Sequence, residues 1–232
     1  MGTMNDPQSR LAGQYAEKDA SYYAQVRSDY IDLLPVSDSA AILELGCGAG
    51  ATGAYALATH KCSDYVGIEM FETAASQAKS VLTAVHQGDV EKMELPYAPC
   101  HFDALICSEV LEHLVDPDAV VRSLAKLLKP GGLVFASSPC VSHWRNVKNL
   151  ALGRWRYTDS GMMDRTHLRW FTPESFEQLF VEAGCTTISL QPLSKRGKTL
   201  LKLSMLPANG MGAMFFHQID YHGVREPSLA GR

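Results

Sequence analysis

The sequence predicts an α/β fold, a seven-stranded sheet with helices on both faces, in one domain. Three observations predict it. Short apolar runs such as "AAILEL", "DYVGIE", "FDALICS" and "GLVFASS" alternate with segments of helical period, the pattern of a parallel sheet covered on both sides. The first run breaks into "GCGAG", glycines at alternate positions, which mark backbone that must approach a ligand closely. The 232 residues, 46% hydrophobic and 20% charged, are enough for one large core and typical of an ordinary globular protein.

Each element follows in order. Residues 15–34 place Tyr15, Tyr22, Tyr23, Val26, Tyr30 and Leu33 at helical spacing and end before Pro35, so the N-terminal segment 1–38 is read as helical. The cofactor-binding core is expected over 40–138. "AAILEL" is its first strand, and the glycine turn leads into a helix through "GAGATGAYALATH". "DYVGIE" and "FETAASQAKSVL" form a second strand and helix. "TAVHQGD" and "FDALICS" are strands three and four. "DPDAVVRSLAKLLK" is a helix with Pro117 in its first turn, stopped by "PGG", and "GLVFASS" is strand five. From 139 to 171 the alternation stops, and a segment rich in Trp, Arg and His reads as a lid-like insertion over the carboxyl edge of the sheet. Over 172–232, "TPESFEQLFVEAG" is a helix capped by Thr172 and closed by Gly184. "TTISLQPL" is a sixth strand, "KTLLKLSML" a short helical insertion, and "AMFFHQIDYHGV" a final strand.

Composition narrows the class further. A formal charge of −4 argues against a general nucleic-acid binder, and none is expected as a partner. Six scattered cysteines without a C-x-x-C pair suit reduced thiols in a cytoplasmic setting. The polar start, "MGTMNDPQSR", has no apolar h-region, so no signal peptide is expected, and no apolar run approaches the roughly 20 residues of a membrane span.

The glycines alone do not choose a cofactor, because Gly46, Gly48 and Ala51 also satisfy a loose dinucleotide pattern. Three acids at strand ends do more. In an open parallel sheet, ligands sit beyond the carboxyl ends of the strands. There lie Glu44 before the glycine turn, Glu69 at the end of the second strand and Asp89 after the third. Glu69 can accept both ribose hydroxyls of either cofactor class. Glu44 would repel a diphosphate, yet it suits the ammonium and sulfonium of S-adenosylmethionine, and Asp89 can accept from the adenine amine. The plainer alternative makes Glu44 a strand-end residue bonded to backbone amides.

"ILELGCGAG", "VGIE", "GDVEKMELPY", "FDALICSEVLEHLVDP" and "LLKPGGLVFASSP", in this order and register, resemble a class I S-adenosylmethionine-dependent methyltransferase. The resemblance covers about 40–140, and "HLRWFTPESFEQLFVEAGC" extends it to about 185. It implies a Rossmann-like sheet of seven strands, with S-adenosyl-L-homocysteine as product. It also implies Gly46, Cys47, Gly48 and Gly50 around the methionine portion, Glu69 on the ribose, and Met70 against the adenine face. Asp89 and Val90 would lie at the adenine edge, and Ser108 and Glu109 near the methionine end.

Methyl transfer then needs an aligned acceptor and a group to take its proton. Glu109, Glu112 and His113 in "SEVLEH" share a face if the segment is helical. The string is similar to one associated with a divalent metal in ubiquinone-pathway O-methyltransferases. Pocket shaping is the preferred reading, and no metal is expected. In "GMMDRTHLRWFT", Asp164 could orient His167 as a base, with His113 as a further candidate, and the alternative is that His167 pins the insertion. Trp144, Arg154, Tyr157, Arg165, Arg169 and Trp170 are candidate acceptor contacts, since aromatic faces pack on sugars and arginines grip phosphates. The expected acceptor is a small molecule, a glycan or a nucleotide-linked sugar, methylated on oxygen. N- or C-methylation and a non-catalytic cofactor-binding subunit stay open, and the oligomeric state is not legible.

Overall fold

The structure, a computed structural model, describes residues 26–206 and 210–227. Seven strands form one sheet: β1 (Ala41–Leu45), β2 (Asp64–Glu69), β3 (Ala84–Gln87), β4 (Phe102–Ser108), β5 (Leu128–Pro139), β6 (Cys185–Pro192) and β7 (Gln218–Arg225). Their order is β3-β2-β1-β4-β5-β7-β6. The helices are α1 (Ser28–Ile31), α2 (Ala51–Ala58), α3 (Glu72–Ala78), α4 (Pro117–Leu127), α5 (Trp144–Ala151), α6 (Pro173–Glu182) and α7 (Lys195–Ser204).

The strand pattern explains the two layers of helices. Along β1, Ala41, Leu43 and Leu45 point to one core and Ile42 to the other. In β4, Leu105 and Cys107 join the first core, while Ala104 and Ile106 join the second. The first core is closed by Val120, Val121 and Leu124 of α4 with Phe176, Leu179 and Phe180 of α6. The second is closed by Tyr30 and Ile31 of α1, Ala56 of α2 and Ala78 of α3. A strand buried on both faces is largely apolar, which is why β1 reads as an apolar run broken only by Glu44. α4 starts as expected, with Pro117 in the first turn and the Asp116 side chain accepting from the Ala119 amide at 3.0 Å. Thr172 caps α6, accepting from the Ser175 amide at 3.1 Å while the Ser175 hydroxyl accepts from Thr172 N–H, and Gly184 follows with φ +83°.

Several expectations are corrected. The sheet is mixed: β7 pairs antiparallel with both β5 and β6. Apolar periodicity is blind to strand direction, and the link from β6 to β7 needs no crossover helix over the sheet. α4 ends at Leu127, and β5 already includes the "PGG". Phe102 faces Leu128 and Ala104 faces Leu133, so residues 129–132 bulge out of the strand. The last strand begins at Gln218, and residues 213–215 of the expected strand belong instead to a 3-10 turn over 210–215. Of the N-terminal helix, residues 15–25 lie outside the described residues, and the described part is the single turn of α1. The insertion contains a helix, α5, that the sequence reading left out.

Candidate active site

The strand order reverses between β1 and β4, and a cavity of about 480 Å3 opens beyond their carboxyl ends. The glycine turn forms its floor. Gly46 has φ +74°, and a Cβ there would stand 3.0 Å from Val110, so any other residue at this position would be strained and press on that side chain. Gly46, Cys47 and Gly48 line the cavity, whereas Gly50 does not. With φ +86°, Gly50 opens α2 and packs towards Val81 and Leu82 behind the turn.

All three acids of the sequence argument reach this cavity. Glu44 is buried and accepts from the Tyr65 hydroxyl at 2.9 Å. Burial pushes its carboxyl up to about 7, against the bonds from Tyr65 and Thr52 and the charge of Arg27. Glu69 accepts from the Gly48 amide at 2.9 Å and the Phe71 amide at 3.0 Å, and burial nonetheless raises it. One carboxylate thus fixes the glycine turn to the end of β2. Asp89 accepts from the Glu91 amide at 3.0 Å and pairs with Lys92 at 2.9 Å. Met70, Val90, Ser108 and Glu109 are further walls.

Arg27 was missing from the sequence reading. From just before α1 it reaches the cavity, donating to the hydroxyls of Ser108 and, at 2.9 Å, Ser137. Its guanidinium also bonds Asp29 at 2.9 Å and lies 3.6 Å from the centre of the Tyr30 ring. No glycine or spacing rule marks it, because it joins the site only through the packing of α1. His217 and Gln218, at the start of β7, are likewise walls that no motif announced.

"SEVLEH" is not one helical face. Glu109 takes φ +51°, and only Leu111–His113 form a 3-10 turn. Glu109 therefore turns to Gln218, whose amide it accepts at 2.9 Å, and its other oxygen is buried without a hydrogen bond. Glu112, His113 and His167 converge instead, their ligand atoms within 4.8 Å of one another. The Glu112 carboxylate accepts from Ser138 at 3.1 Å and is held well above the usual carboxylate range by burial and by neighbouring Glu109. Its backbone carbonyl accepts from the Leu168 amide at 2.8 Å and the Arg169 amide at 3.0 Å, which docks the insertion here. Asp164 and His167 do share a turn, closed by the His167 amide on the Asp164 carbonyl at 3.1 Å. The Asp164 carboxylate accepts from the amide and hydroxyl of Thr166. His113 Nδ1 lies 3.1 Å from the Thr166 carbonyl, and His167 Nδ1 lies 3.1 Å from that of Met162. A carbonyl only accepts, so each neutral ring carries its proton on Nδ1 and presents Nε2 as its basic nitrogen.

The six expected acceptor contacts stand outside the walls of this cavity. Arg154 borders a second, smaller cavity. Tyr157 and Trp170 group with Trp155, at ring distances of 6.1 and 5.6 Å from Trp170. Arg165 pairs with Asp159, Arg169 donates to the carbonyls of Leu168 and Val115, and Trp144 is exposed on α5. The insertion meets the main cavity through Ser160, Gly161, Met162, Asp164, His167 and Leu168.

A glycine-rich floor walled, among the described residues, by six buried or half-buried acids and a single arginine fits a cationic adenosyl ligand and disfavours a diphosphate. Fold and site together define an S-adenosylmethionine-dependent methyltransferase of class I. The chain belongs to the family described as "Methyltransferase domain", which matches residues 15–190. It is 31% identical over 211 residues to a ubiquinone biosynthesis O-methyltransferase of Chromobacterium violaceum, covering 83% of this chain and 85% of that protein. A protein of the same description from Neisseria meningitidis is 33% identical over 141 residues, 56% of this chain and 59% of that one. Several such relatives are thus matched over only about half of their length. A solved S-adenosylmethionine-dependent methyltransferase from Archaeoglobus fulgidus shares the fold with a TM-score of 0.63 over 95% of this chain and all of its own, at 13% identity.

Proposed function

We propose that the protein methylates a hydroxyl oxygen of a small-molecule acceptor, with His167 as the group that takes its proton. The observation that carries this is the convergence of Glu112, His113 and His167 on the wall of the cavity that holds the cofactor acids. The names of the relatives, O-methyltransferases of ubiquinone biosynthesis, support oxygen as the methylated atom. S-adenosylmethionine supplies a methyl group on an already activated sulfonium. Arg27 would receive the methionine carboxylate, since among the described residues it is the one cation on the cavity wall apart from histidine. Glu44 would face the ammonium, Glu69 the ribose hydroxyls and Asp89 the adenine edge. His167 Nε2 would take the hydroxyl proton as the acceptor oxygen forms its bond to the methyl carbon and the carbon–sulfur bond breaks. Glu112 and Asp164 beside it would stabilise the resulting imidazolium.

A second reading of the same cluster is favoured by its composition. One carboxylate and two imidazoles within 4.8 Å fit a divalent metal ion, held by Glu112, His113 and His167 and not by Glu109. Such an ion would lower the pKa of an acceptor hydroxyl. The sugar acceptor has in its favour the Trp155, Tyr157 and Trp170 cluster, but that cluster lies outside the cavity walls, so the small molecule comes first. The six cysteines, all free thiols, support a cytoplasmic setting.

The test is transfer of isotopically labelled methyl from the donor into a metabolite extract, read by mass. Label on a hydroxyl of a small molecule is expected, and label on nitrogen or carbon contradicts the reading. His167→Ala should lower turnover by roughly 10² to 10⁴ with an unchanged affinity for S-adenosylhomocysteine. Loss of all activity in excess chelator, restored by added metal, selects the metal reading.

A further inference from the structure

We propose that Tyr65 and Thr52 are positioning residues for the methionine end of the cofactor. Their hydroxyls hold the Glu44 carboxylate for its ammonium and tie that carboxylate to Arg27, a role that rests on the cofactor reading above. Glu44 sits on β1 two residues from Ile42, so its side chain lies on the second-core face, which α2 covers. A carboxylate buried there needs donors. The backbone of β1 is engaged by β2 and β4 on either side. Among the described residues, the hydroxyls of Tyr65, at 2.9 Å, and of Thr52 supply them.

The fold makes specific room for the Tyr65 ring. Gly53 of α2 lies against it, and a Cβ on Gly53 would stand 2.5 and 2.6 Å from two ring carbons. A larger residue there would push the ring off its path to Glu44. Burial and the adjoining carboxylate hold the phenol well above its ordinary range, so it stays a donor at neutral pH. Thr52, buried on the cavity wall, joins both charged groups of the site. Its hydroxyl oxygen accepts from the Arg27 backbone N–H at 3.2 Å, which leaves its own proton for Glu44. One hydroxyl thus fixes Arg27 by its backbone and Glu44 by its side chain.

The other groups that face Glu44 do not replace these donors. Arg27 favours the anion by its charge, while Glu69, at the end of β2, opposes it. The thiols of Cys47 in the glycine turn and Cys107 in β4 are pushed up by burial and by Glu44 itself, and so stay neutral. Two hydroxyls and one guanidinium therefore hold the carboxylate ionised against its burial. Removal of either hydroxyl favours the protonated acid, which no longer attracts an ammonium.

The test is calorimetric titration of the full chain with two ligands, S-adenosylhomocysteine and 5′-methylthioadenosine, which keeps the adenosine and lacks the amino-acid end. Tyr65→Phe and Thr52→Val should each weaken S-adenosylhomocysteine at pH 7 by roughly tenfold or more, the range for a lost hydrogen bond to a charged group. Both should bind 5′-methylthioadenosine as the wild type does, which also shows that they fold. Thr52→Ser, which keeps the hydroxyl, should restore the affinity. In Tyr65→Phe the gain in S-adenosylhomocysteine affinity, centred near pH 7 in the wild type, should move to higher pH. Unchanged affinity in both variants, an equal loss for the two ligands, or an unmoved pH profile would overturn the proposal alone. A wild type that binds neither ligand would overturn the cofactor reading and this role with it.

Discussion

Glu44 shows how a single residue can be legible in type and illegible in behaviour. Its place before a glycine turn singled it out, but its bond to Tyr65 comes from β2, paired beside β1, and its deep burial from the packing around both strands. With its carboxyl raised to about 7, the folded state binds more protons than the unfolded chain above the ordinary carboxylate range. Stability from this group is therefore full below about pH 4.5 and lost as pH rises through about 7. Glu69, Glu109 and Glu112 are raised in the same sense, so thermal melts should show the ligand-free protein losing stability over this window. Glu44→Gln should flatten part of that slope, and an identical slope in the variant would refute the assignment. If its ammonium faces Glu44 as proposed, S-adenosylhomocysteine should bind more tightly as pH rises through 7 in the wild type only. Arg27→Ala should weaken that ligand by about tenfold to a hundredfold, the range for a lost hydrogen bond to a charged group. Calorimetry reads both.

At the scale of the element, the motifs of β1, β2 and β4 and the caps of α4 and α6 were readable because they are local. Thr172→Ala removes the cap of α6 and should cost about 1 kcal/mol in chemical denaturation. Gly67 in β2 carries a sharper test. A Cβ there would stand 2.4 Å from the Cys47 sulfur and 2.9 Å from its Cβ. Gly67→Ala should therefore cost about 1–3 kcal/mol and, by displacing the glycine turn, also weaken cofactor binding. Loss of stability with full affinity would mean that the turn is less tightly coupled to β2 than the structure implies. The direction of β7 and the φ of Glu109 were not readable. Both are set by long-range neighbours: β7 by the two strands it joins, and Glu109 by Ser137 and Gln218. The shared face suggested by i, i+3, i+4 spacing is not formed for that reason, and His167, 54 positions on from His113, lies beside Glu112 and His113 where Glu109 was expected.

The whole molecule separates two charge regions that net charge conceals. The cavity gathers acids around Arg27, while the α5–α7 side gathers cations. The sequence reading saw the basic, aromatic insertion but assigned it to the acceptor, since nothing in a linear pattern shows which residues face a cavity and which face outward. The central claim is that the acid-walled cavity at the β1–β4 switch binds the adenosyl cofactor. A calorimetric titration of S-adenosylhomocysteine into the wild type and Glu69→Ala tests it most directly. The account predicts a single site with a dissociation constant on the order of micromolar, a melting temperature that rises with ligand, and binding at least about tenfold weaker in the variant. A folded wild-type chain that takes up no ligand, or a variant that binds as well as the wild type, would contradict it.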